Sequence, residues 1–416
     1  MKKLLIISLL ILLSVTALSA IITGKSVFYA DSYMLRARGV EAGYWNPANL
    51  IPSKYIDLWL PGVNTGVSID NNSFDLDTYN YIMRLDYLQE SDKQLILDKI
   101  DKSLHANVSG NTSIIGFTLG NMSFASSAHY MAKLALSERY LELALFGNTD
   151  SLYVFDKSNT DARALGYVDL TFGMGNLEIP FLPESFPKIR AGFSISALIG
   201  GANAYTDQFN GYLSSSMDGI TLHQDMTVRS GIGGYGQKIM LGFASNPMEN
   251  LELGLTLDNI FGKITWSAVT EDRNMHFTAD SLYAANIGDD FYEESYETVD
   301  IENFSTELPP ELRMAAMWRM KHGSVSMDYL QGFKRSVSTS SIGRLSFGAQ
   351  YFPLPFLPLS FGLGLGNSTY PWRVSYGVGL NSKTGEIGLG VQSYNTLIPN
   401  YKTKGVSLGI FIRLWI

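Results

Sequence analysis

The sequence contains no cysteine among its 416 residues, and only 17% of them are charged. The lack of cysteine excludes disulfides, thiol chemistry and a lipid-modified N-terminal cysteine, and it suits export through an oxidising compartment. Soluble domains usually carry about a quarter charged residues. The low charge therefore favours a protein whose outer surface faces lipid rather than water.

Basic clusters and long apolar runs are also missing. The net charge is −8 and lysine and arginine do not cluster, which argues against a nucleic-acid partner because phosphate binding needs a concentrated basic surface. Beyond residue 22 no stretch approaches about 18 uninterrupted apolar residues, so a bundle of membrane-spanning helices is excluded. Glycine (39), tyrosine (23) and phenylalanine (22) are numerous. Aromatic residues at the ends of strands are typical of membrane β-barrels.

The first twenty residues have the features of a secretory signal peptide. Lys2 and Lys3 supply the positive start, residues 4–15 supply the apolar segment, and small residues lead to Ala20. We predict cleavage after Ala20. The alternative is an uncleaved anchor, because residues 4–22 are almost wholly apolar and long enough to span a bilayer. Residues 1–20 are thus assigned to the signal peptide and the rest to the exported chain.

Large apolar and small residues alternate along many short segments. In residues 357–366 every odd position is large and apolar, and every even position is Pro, Ser or Gly. Side chains alternate between the two faces of a strand, so this segment has one apolar face and one face of small residues. In residues 251–258 four leucines alternate with polar or small residues, including Glu252 and Asp258. These charges mark the face that is in contact with water.

Fifteen two-faced segments lie between residues 55 and 415, and most have 9–13 residues, enough for a tilted strand to cross a bilayer. We predict an all-β fold, a transmembrane antiparallel up-and-down β-barrel over residues 54–416. A soluble β-sandwich is the alternative, because periodicity alone does not distinguish lipid from a protein core.

The number of strands should be even, because both ends of such a barrel lie on the periplasmic side. Fifteen segments are therefore one too many. We attribute the surplus to residues 112–120 and 122–134, which only Asn121 separates, and keep residues 219–230 and 237–245 as two strands. The prediction is about 14 strands, with 16 as the alternative.

Three long connections stand out, near residues 70–111, 135–162 and 267–311. Outer-membrane barrels have short periplasmic turns and long outer loops, so these connections are predicted to lie outside the cell. The first includes residues 91–104, which have helical spacing and begin with Ser91 as a candidate N-cap. This helix is either a lid over the barrel mouth or a helix packed on its rim.

Candidate chemistry is sparse. The five histidines have no metal-ligand spacing, and a Gly-x-Ser-x-Gly motif is absent, so the sequence predicts no enzyme, no metal and no cofactor. An embedded hydrolase would need a histidine within hydrogen-bond reach of a lumen-facing serine. Residues 267–311 carry twelve carboxylates and one basic residue, Arg273. We interpret them as a solvated loop, with a loop stabilised by divalent cations as the alternative.

A short stretch between the signal peptide and the first strand resembles a known family. Residues 35–50 read Leu-Arg-Ala-Arg-Gly-Val-Glu-Ala-Gly-Tyr-Trp-Asn-Pro-Ala-Asn-Leu, which is similar to the start of the FadL-type outer-membrane barrels, and still closer to an uncharacterised, PorV-like branch. The side chain of Asn46 can turn the chain and Pro47 fixes the next dihedral angle. The residues that carry the resemblance are Arg36, Gly39, Trp45, Asn46, Pro47 and Ala48.

This resemblance implies a function. In FadL-type proteins the N-terminal segment plugs the barrel, and small hydrophobic molecules leave through the side of the wall. By resemblance, residues 21–53 would form a periplasmic plug, and the protein would bind or pass small hydrophobic molecules across the bacterial outer membrane. The alternative is a PorV-like structural or secretion-accessory barrel that presents its loops to secretion or surface proteins. Lipid of the outer membrane is an expected partner under both hypotheses.

Overall fold

The structure is a computed structural model that describes residues 23–148, 152–158, 160–179, 187–216, 219–282, 292–366 and 371–416. The predicted signal peptide lies outside the described residues. An N-terminal segment of short helical turns precedes a single antiparallel sheet of eighteen strands. Among the described residues, no helix is long and apolar enough to cross a membrane.

The elements follow each other closely from the N-terminal turns to the last strand. Their bounds are: 3-10 turns at Ser26–Tyr29, Gly39–Glu41 and Pro47–Asn49, α1 (Ala42–Trp45), β1 (Asp57–Trp59), β2 (Thr65–Asn71), α2 (Leu76–Arg84), α3 (Glu90–Asp98), β3 (Ser103–Leu119), β4 (Met122–Ser137), α4 (Glu138–Phe146), β5 (Leu152–Asp156), β6 (Asp161–Glu178), β7 (Ile189–Ser216), β8 (Gly219–Met248), β9 (Leu251–Leu282), β10 (Tyr292–Asp300), β11 (Phe304–Glu307), β12 (Glu311–Met320), β13 (Gly323–Gly332), β14 (Arg344–Leu354), β15 (Leu357–Gly364), β16 (Arg373–Asn381), β17 (Gly385–Tyr394) and β18 (Gly405–Trp415).

Fourteen of these strands close into a barrel. Neighbours along the chain pair with each other, β9 pairs with β12, and β18 pairs with β2 to complete the ring. The predicted transmembrane barrel of 14 strands is therefore confirmed. Of the other four, β1 continues the line of β2, while β5, β10 and β11 pair with the long strands β7 and β9.

The two faces of the strands are those that the alternation predicts. Along β15, Phe361 is 44% exposed on the outer wall, whereas the neighbouring Ser360 and Gly362 face inward. Along β9, Glu252 and Asp258 are buried inside the barrel and Leu253 is exposed. Lipid therefore solvates the large apolar residues, and the polar residues line the interior.

One detail of the strand count was wrong. β3 and β4 are both real strands, paired from Ser103 to Leu119 and joined by a tight turn at Gly120-Asn121. The fifteenth predicted segment arose because residues 219–230 and 237–245, counted as two strands, belong to the single strand β8. Glycines and register shifts in the middle of β8 interrupt its alternation, which made one long strand read as two.

The predicted long connections contain more regular structure than expected. The loop near 70–111 is shorter, because β3 already begins at Ser103, and its helix α3 ends at Asp98 with Gln89 rather than Ser91 at the N-cap. The acidic stretch near 267–311 is mostly strand, because the β8–β9 hairpin continues beyond the membrane and β10 pairs with it. Together with β5 and the end of β7, these strands form what we call the outer sheet.

Candidate functional site

Residues 24–50, here called the plug, lie inside the barrel and fill one end of its interior. They lie at the end that carries the short strand-to-strand turns and both ends of the barrel sequence, here called the turn end. Their aromatic side chains form a continuous buried core: the rings of Tyr29 and Tyr33 stack at 5.8 Å, and the ring of Trp45 meets that of Tyr33 edge-on at 5.3 Å. A core of this kind holds the plug by burial of apolar surface against the wall.

The Asn-Pro-Ala part of the plug rests on three glycines of adjacent strands. A Cβ atom added to Gly175, Gly192 or Gly242 would lie 1.8, 2.4 or 2.7 Å from atoms of Pro47, which is closer than any real side chain allows. The inner face of β6, β7 and β8 thus carries no side chain where the plug backbone approaches. These glycines form a surface on which the plug packs, here called the seat of the plug.

Asn46 and Trp45 fix the course of the plug over this seat. The side-chain oxygen of Asn46 accepts a hydrogen bond from Ala48 N at 3.1 Å, and its amide donates to the carbonyl of Phe243 at 3.1 Å. Asn46 therefore caps the following turn and ties it to β8. Trp45 is buried, and the guanidinium of Arg313 lies 4.3 Å from its ring centre.

Arg36 and Gly39 also contact the wall directly. Arg36 Nη1 donates to Ser324 Oγ at 2.7 Å, and Nη2 donates to the carbonyl of Gly348 at 3.3 Å. Gly39 has a φ of 59°, and a Cβ there would lie 1.3 Å from Asp57 Oδ2. The six residues of the N-terminal stretch thus lie between the plug and different strands of the wall. Their role as a family signature stays a prediction.

Ion pairs with the wall anchor the plug at several points, among them Asp31 of the plug with Arg373 of β16 at 3.0 Å. Glu252 of β9 is 2% exposed and binds Arg38 of the plug at 3.2 Å, together with Arg190 and Arg319 of the wall at 3.0 and 2.6 Å. On the opposite side of the barrel, Lys25 of the plug forms an ion pair with Glu386. The carboxylates of Glu252 and Glu386 are shielded from water and each is paired with a cation, as a buried charge must be.

The first strand of the barrel is interrupted beside the plug. β1 leaves its pairing with β3 at Trp59 opposite Gly116, and β2 resumes at Thr65 opposite Thr112, so the five residues 60–64 face only three residues of β3. Backbone hydrogen bonds still hold this segment at three points: Gly62 N to Ser113 O at 2.8 Å, Ser113 N to Asn64 O at 3.0 Å, and Ile412 N to Val63 O at 3.0 Å.

The interrupted segment, residues 60–64, bulges toward lipid. Leu60 is 44% exposed, Pro61 and Gly62 are exposed as well, and Pro61 has no N–H to donate to a neighbouring strand. β3 carries a register shift between Ser113 and Ile115 at the same level. The regular ladder of the wall is therefore broken at this level, both between β1 and β2 and in β3.

A buried carboxylate connects the plug to this segment. Glu41 is 2% exposed and accepts hydrogen bonds from the hydroxyl of Tyr33 and from Asn64 Nδ2, the latter at 3.3 Å. Burial raises the pKa of the Glu41 carboxyl above its ordinary value, while the positive charge of Lys25 acts in the opposite direction. Movement of the plug would thus break a contact with the interrupted strand.

The cavities described inside the barrel are small. One lies beside His129 and Lys238, another beside His105 and Arg163, and each has a volume of about 30 Å³. This space holds a water molecule or two but no organic ligand. Larger depressions, of about 460 and 510 Å³, lie on the lipid-facing wall around Phe361. Passage of a ligand through the interior would require the plug to move.

Two histidines inside the barrel bear on the hypothesis of an embedded hydrolase. His129 Nε2 lies 2.7 Å from Asp169 Oδ2, and its Nδ1 lies 3.2 Å from Asn111, so neither ring nitrogen faces a serine. His105 Nε2 does lie 2.9 Å from Ser103 Oγ. The cavity beside His105 is lined by the cations Arg335, Lys133 and Arg163 and by one carboxylate, Asp161, which pairs with Arg163. This excess of positive charge disfavours the imidazolium ion that such catalysis requires.

The sequence analysis did not find one cluster of potential metal ligands. His223, Asp225 and His276 come together on the outer sheet, with ligand atoms within 4.8 Å of each other. The two histidines are far apart in sequence and meet because Asp225 of β8 lies opposite His276 of β9. Spacing along the chain carries no signal for such a cluster, and only the register of the hairpin reveals it.

A family model matches part of the sequence. Residues 47–238, less than half of the chain, match the model of a family described as "Family of unknown function (DUF5723)". No curated protein matches the sequence.

Comparison with solved structures finds several outer-membrane channels at low sequence identity. The toluene transporter TodX of P. putida shares 10% identity at a TM-score of 0.49, over 96% of this chain and 99% of that chain. The CymD monoaromatic hydrocarbon channel shares 11% identity at 0.44, over 91% and 92%. A mutant Rhodopseudomonas blastica porin shares 9% identity at 0.24, over 86% and 100%. The 14-strand barrel itself follows from the strand pairing of this chain.

Proposed function

We propose that this protein is a bacterial outer-membrane barrel that passes small hydrophobic molecules and exerts no catalysis. The observation that carries the proposal is the interruption of the first strand at residues 60–64, directly outside the plug. A molecule that entered beside a displaced plug would meet lipid there without crossing the whole barrel.

The driving force is the hydrophobic effect. An apolar solute gains free energy when it leaves water, roughly 25 cal/mol for each Å² of apolar surface that is buried. The lipid-facing side of the interruption is apolar, with Leu60 and Pro61 exposed. Through a lateral exit, the solute would pass from the apolar surface of the protein directly into the hydrocarbon of the membrane. The charges that anchor the plug, such as Glu252 and Lys25, would hold the closed state until the plug shifts.

A second candidate function is a PorV-like barrel that presents its outer surface to protein partners. The observation that favours it is the small volume of the interior cavities, about 30 Å³ each, together with a large outer sheet beyond the membrane. Under this hypothesis the plug is permanently seated and the barrel serves as a rigid anchor. The two candidates therefore differ in whether the plug moves.

A disulfide between plug and wall tests the proposal. A Cβ on Gly43 of α1 would lie 3.7 Å from Ser123 Cβ of β4, close to the roughly 3.8 Å of natural disulfides. Because the chain has no cysteine, Gly43→Cys/Ser123→Cys would form the only disulfide. We expect the oxidised variant to lose uptake of radiolabelled oleate in a bacterial host that lacks its own transporter, and a reductant to restore it.

The matched control is a disulfide that leaves the plug free. Thr171 of β6 and Ser196 of β7 lie opposite each other with their hydroxyl oxygens 2.7 Å apart, so Thr171→Cys/Ser196→Cys joins wall to wall. This variant should transport in both redox states. Equal uptake by the oxidised and reduced plug-tethered protein would contradict the proposal and favour the second candidate, as would uptake no greater than that of cells without the protein.

A further inference from the structure

The outer sheet has two different faces. Leu222 and Met226 of β8 pack with Phe209 and Tyr153 beneath the sheet, next to the helix α4. The odd-numbered residues between them point to the opposite, solvent-facing side, because side chains alternate along a strand. His223 and Asp225 therefore lie on the exposed face, well outside the membrane-spanning part of the barrel.

Three side chains converge on that face. His223 Nε2 lies 2.9 Å from Asp225 Oδ2, and His276 Nδ1 lies 2.6 Å from Asp225 Oδ1. The rings of the two histidines are 5.2 Å apart and inclined at 73°. Each ring thus directs one nitrogen toward one of the two carboxylate oxygens of Asp225.

We propose that His223, Asp225 and His276 bind a divalent transition-metal ion of the Zn²⁺ class. Two imidazoles and one carboxylate are a ligand set that such ions accept in tetrahedral sites, with the remaining position left to water. Bonds of about 2.0–2.1 Å place tetrahedral ligand atoms roughly 3.3 Å apart. The observed separations of 2.6 and 2.9 Å differ from this by less than 1 Å, which small side-chain rotations supply.

The other ring nitrogens are already positioned. Thr278 Oγ1 lies 2.8 Å from His276 Nε2 and 3.4 Å from His223 Nδ1. Metal-binding histidines usually donate their second N–H to such a partner, which fixes the tautomer and the orientation of the ring. One hydroxyl therefore orients both imidazoles, and this is what distinguishes the group from a chance surface pair of histidine and aspartate.

Access and charge also favour a cation. The three side chains are 37, 42 and 47% exposed, so an ion reaches them from solvent without any opening of the fold. The edge strand β10 contributes Glu293 and Glu297, which lie opposite Thr278 and Asn274 and therefore on the same face as His276. This concentration of negative charge raises the local concentration of cations.

The test is zinc binding by the full-length protein in detergent, purified without a polyhistidine tag. Competition with a chromophoric chelator should show one equivalent of Zn²⁺ bound, with at least a tenfold loss of affinity in His223→Ala and in His276→Ala. Thr278→Val should weaken binding 10- to 100-fold although it is not a ligand. His322→Ala, at the turn end of the barrel, should bind like wild type.

Folding is checked in each variant by the heat-dependent shift of barrel migration on gels. Calcium, which prefers oxygen ligands, should not compete with zinc. If the folded His223→Ala/His276→Ala double variant binds Zn²⁺ as tightly as wild type, or if wild type binds none, the assignment is wrong. Zinc binding that falls in the single variants but is indifferent to Thr278→Val would contradict the orienting role of the hydroxyl.

Discussion

The attachment of the plug at Glu252 can be tested by one conservative substitution. The carboxylate of Glu252 is 2% exposed and contacts three guanidinium groups, of Arg38 in the plug and of Arg190 and Arg319 in the wall. Glu252→Gln keeps the shape of the side chain and removes its charge. Three cations then surround a neutral amide. Among the described residues, the ion pair of Arg38 with Glu252 is the only one between the plug and β9, and it is lost.

The magnitude follows from the burial of the partners. Breaking a fully buried ion pair by removing one partner costs about 3–5 kcal/mol. The side chains of Arg38, Arg190 and Arg319 are 27, 20 and 47% exposed, so water screens part of this cost. We expect a loss of about 2 kcal/mol for docking of the plug, which corresponds to a roughly 30-fold rise in the opening equilibrium.

Hydrogen exchange of backbone amides in detergent measures this opening. Exchange across residues 24–50 should accelerate roughly 30-fold in Glu252→Gln, while the strands β15–β17 keep their protection. The matched control is Glu178→Gln, which removes a surface pair with Lys188 whose side chains are 64 and 81% exposed. Such a pair contributes little, so this variant should exchange like wild type. Unchanged exchange of the plug in folded Glu252→Gln would refute the reasoning.

Three further substitutions probe the plug and its seat. Gly192→Ala places a Cβ 2.4 Å from Pro47 C and should destabilise the plug by about 1–3 kcal/mol in urea unfolding, whereas Gly166→Ala, whose Cβ has no neighbour nearer than 3.9 Å, should be neutral. Asn46→Ala should cost about 1 kcal/mol in the same assay, because the cap of the following turn is lost. Burial raises the pKa of Glu41 above 4.5, so its ionisation opposes folding and stability should fall as pH rises through the raised value. Glu41→Gln should remove that part of the pH dependence, and an identical profile in wild type and variant would contradict this.

The sequence predicted the barrel because lipid imposes a simple rule on every strand. Each spanning strand must present apolar side chains outward, so the alternation repeats in β15, β16 and β18 as it does in β9. The rule applies only where lipid touches the strand. The middle of β8 and the end of β9 lie beyond the membrane, where this rule does not apply. The sequence analysis therefore divided β8 into two strands and interpreted the end of β9 as a loop.

The candidate site was less predictable, because its residues are distant in sequence and come together only in the folded barrel. The N-terminal stretch around Asn46 and Pro47 could be singled out by resemblance, but its seat of glycines on three strands depends on the register of the barrel. The pair of His223 and His276 depends on the register of one hairpin. The interruption of the first strand was missed, although Pro61-Gly62 is a dipeptide typical of turns.

The inner face of the barrel links sequence and function most directly. A water-filled pore is lined with polar side chains, so its inner face does not need glycine at every second position. Here a Cβ on Gly377, Gly388 or Gly390 would lie within 3 Å of the ring of Phe28, a plug residue. Glycine destabilises a strand interior, so its repeated use on one face needs a compensating contact. Burial of the plug supplies that contact, and a face of small residues in the amino-acid sequence is therefore itself a signature of a plugged barrel.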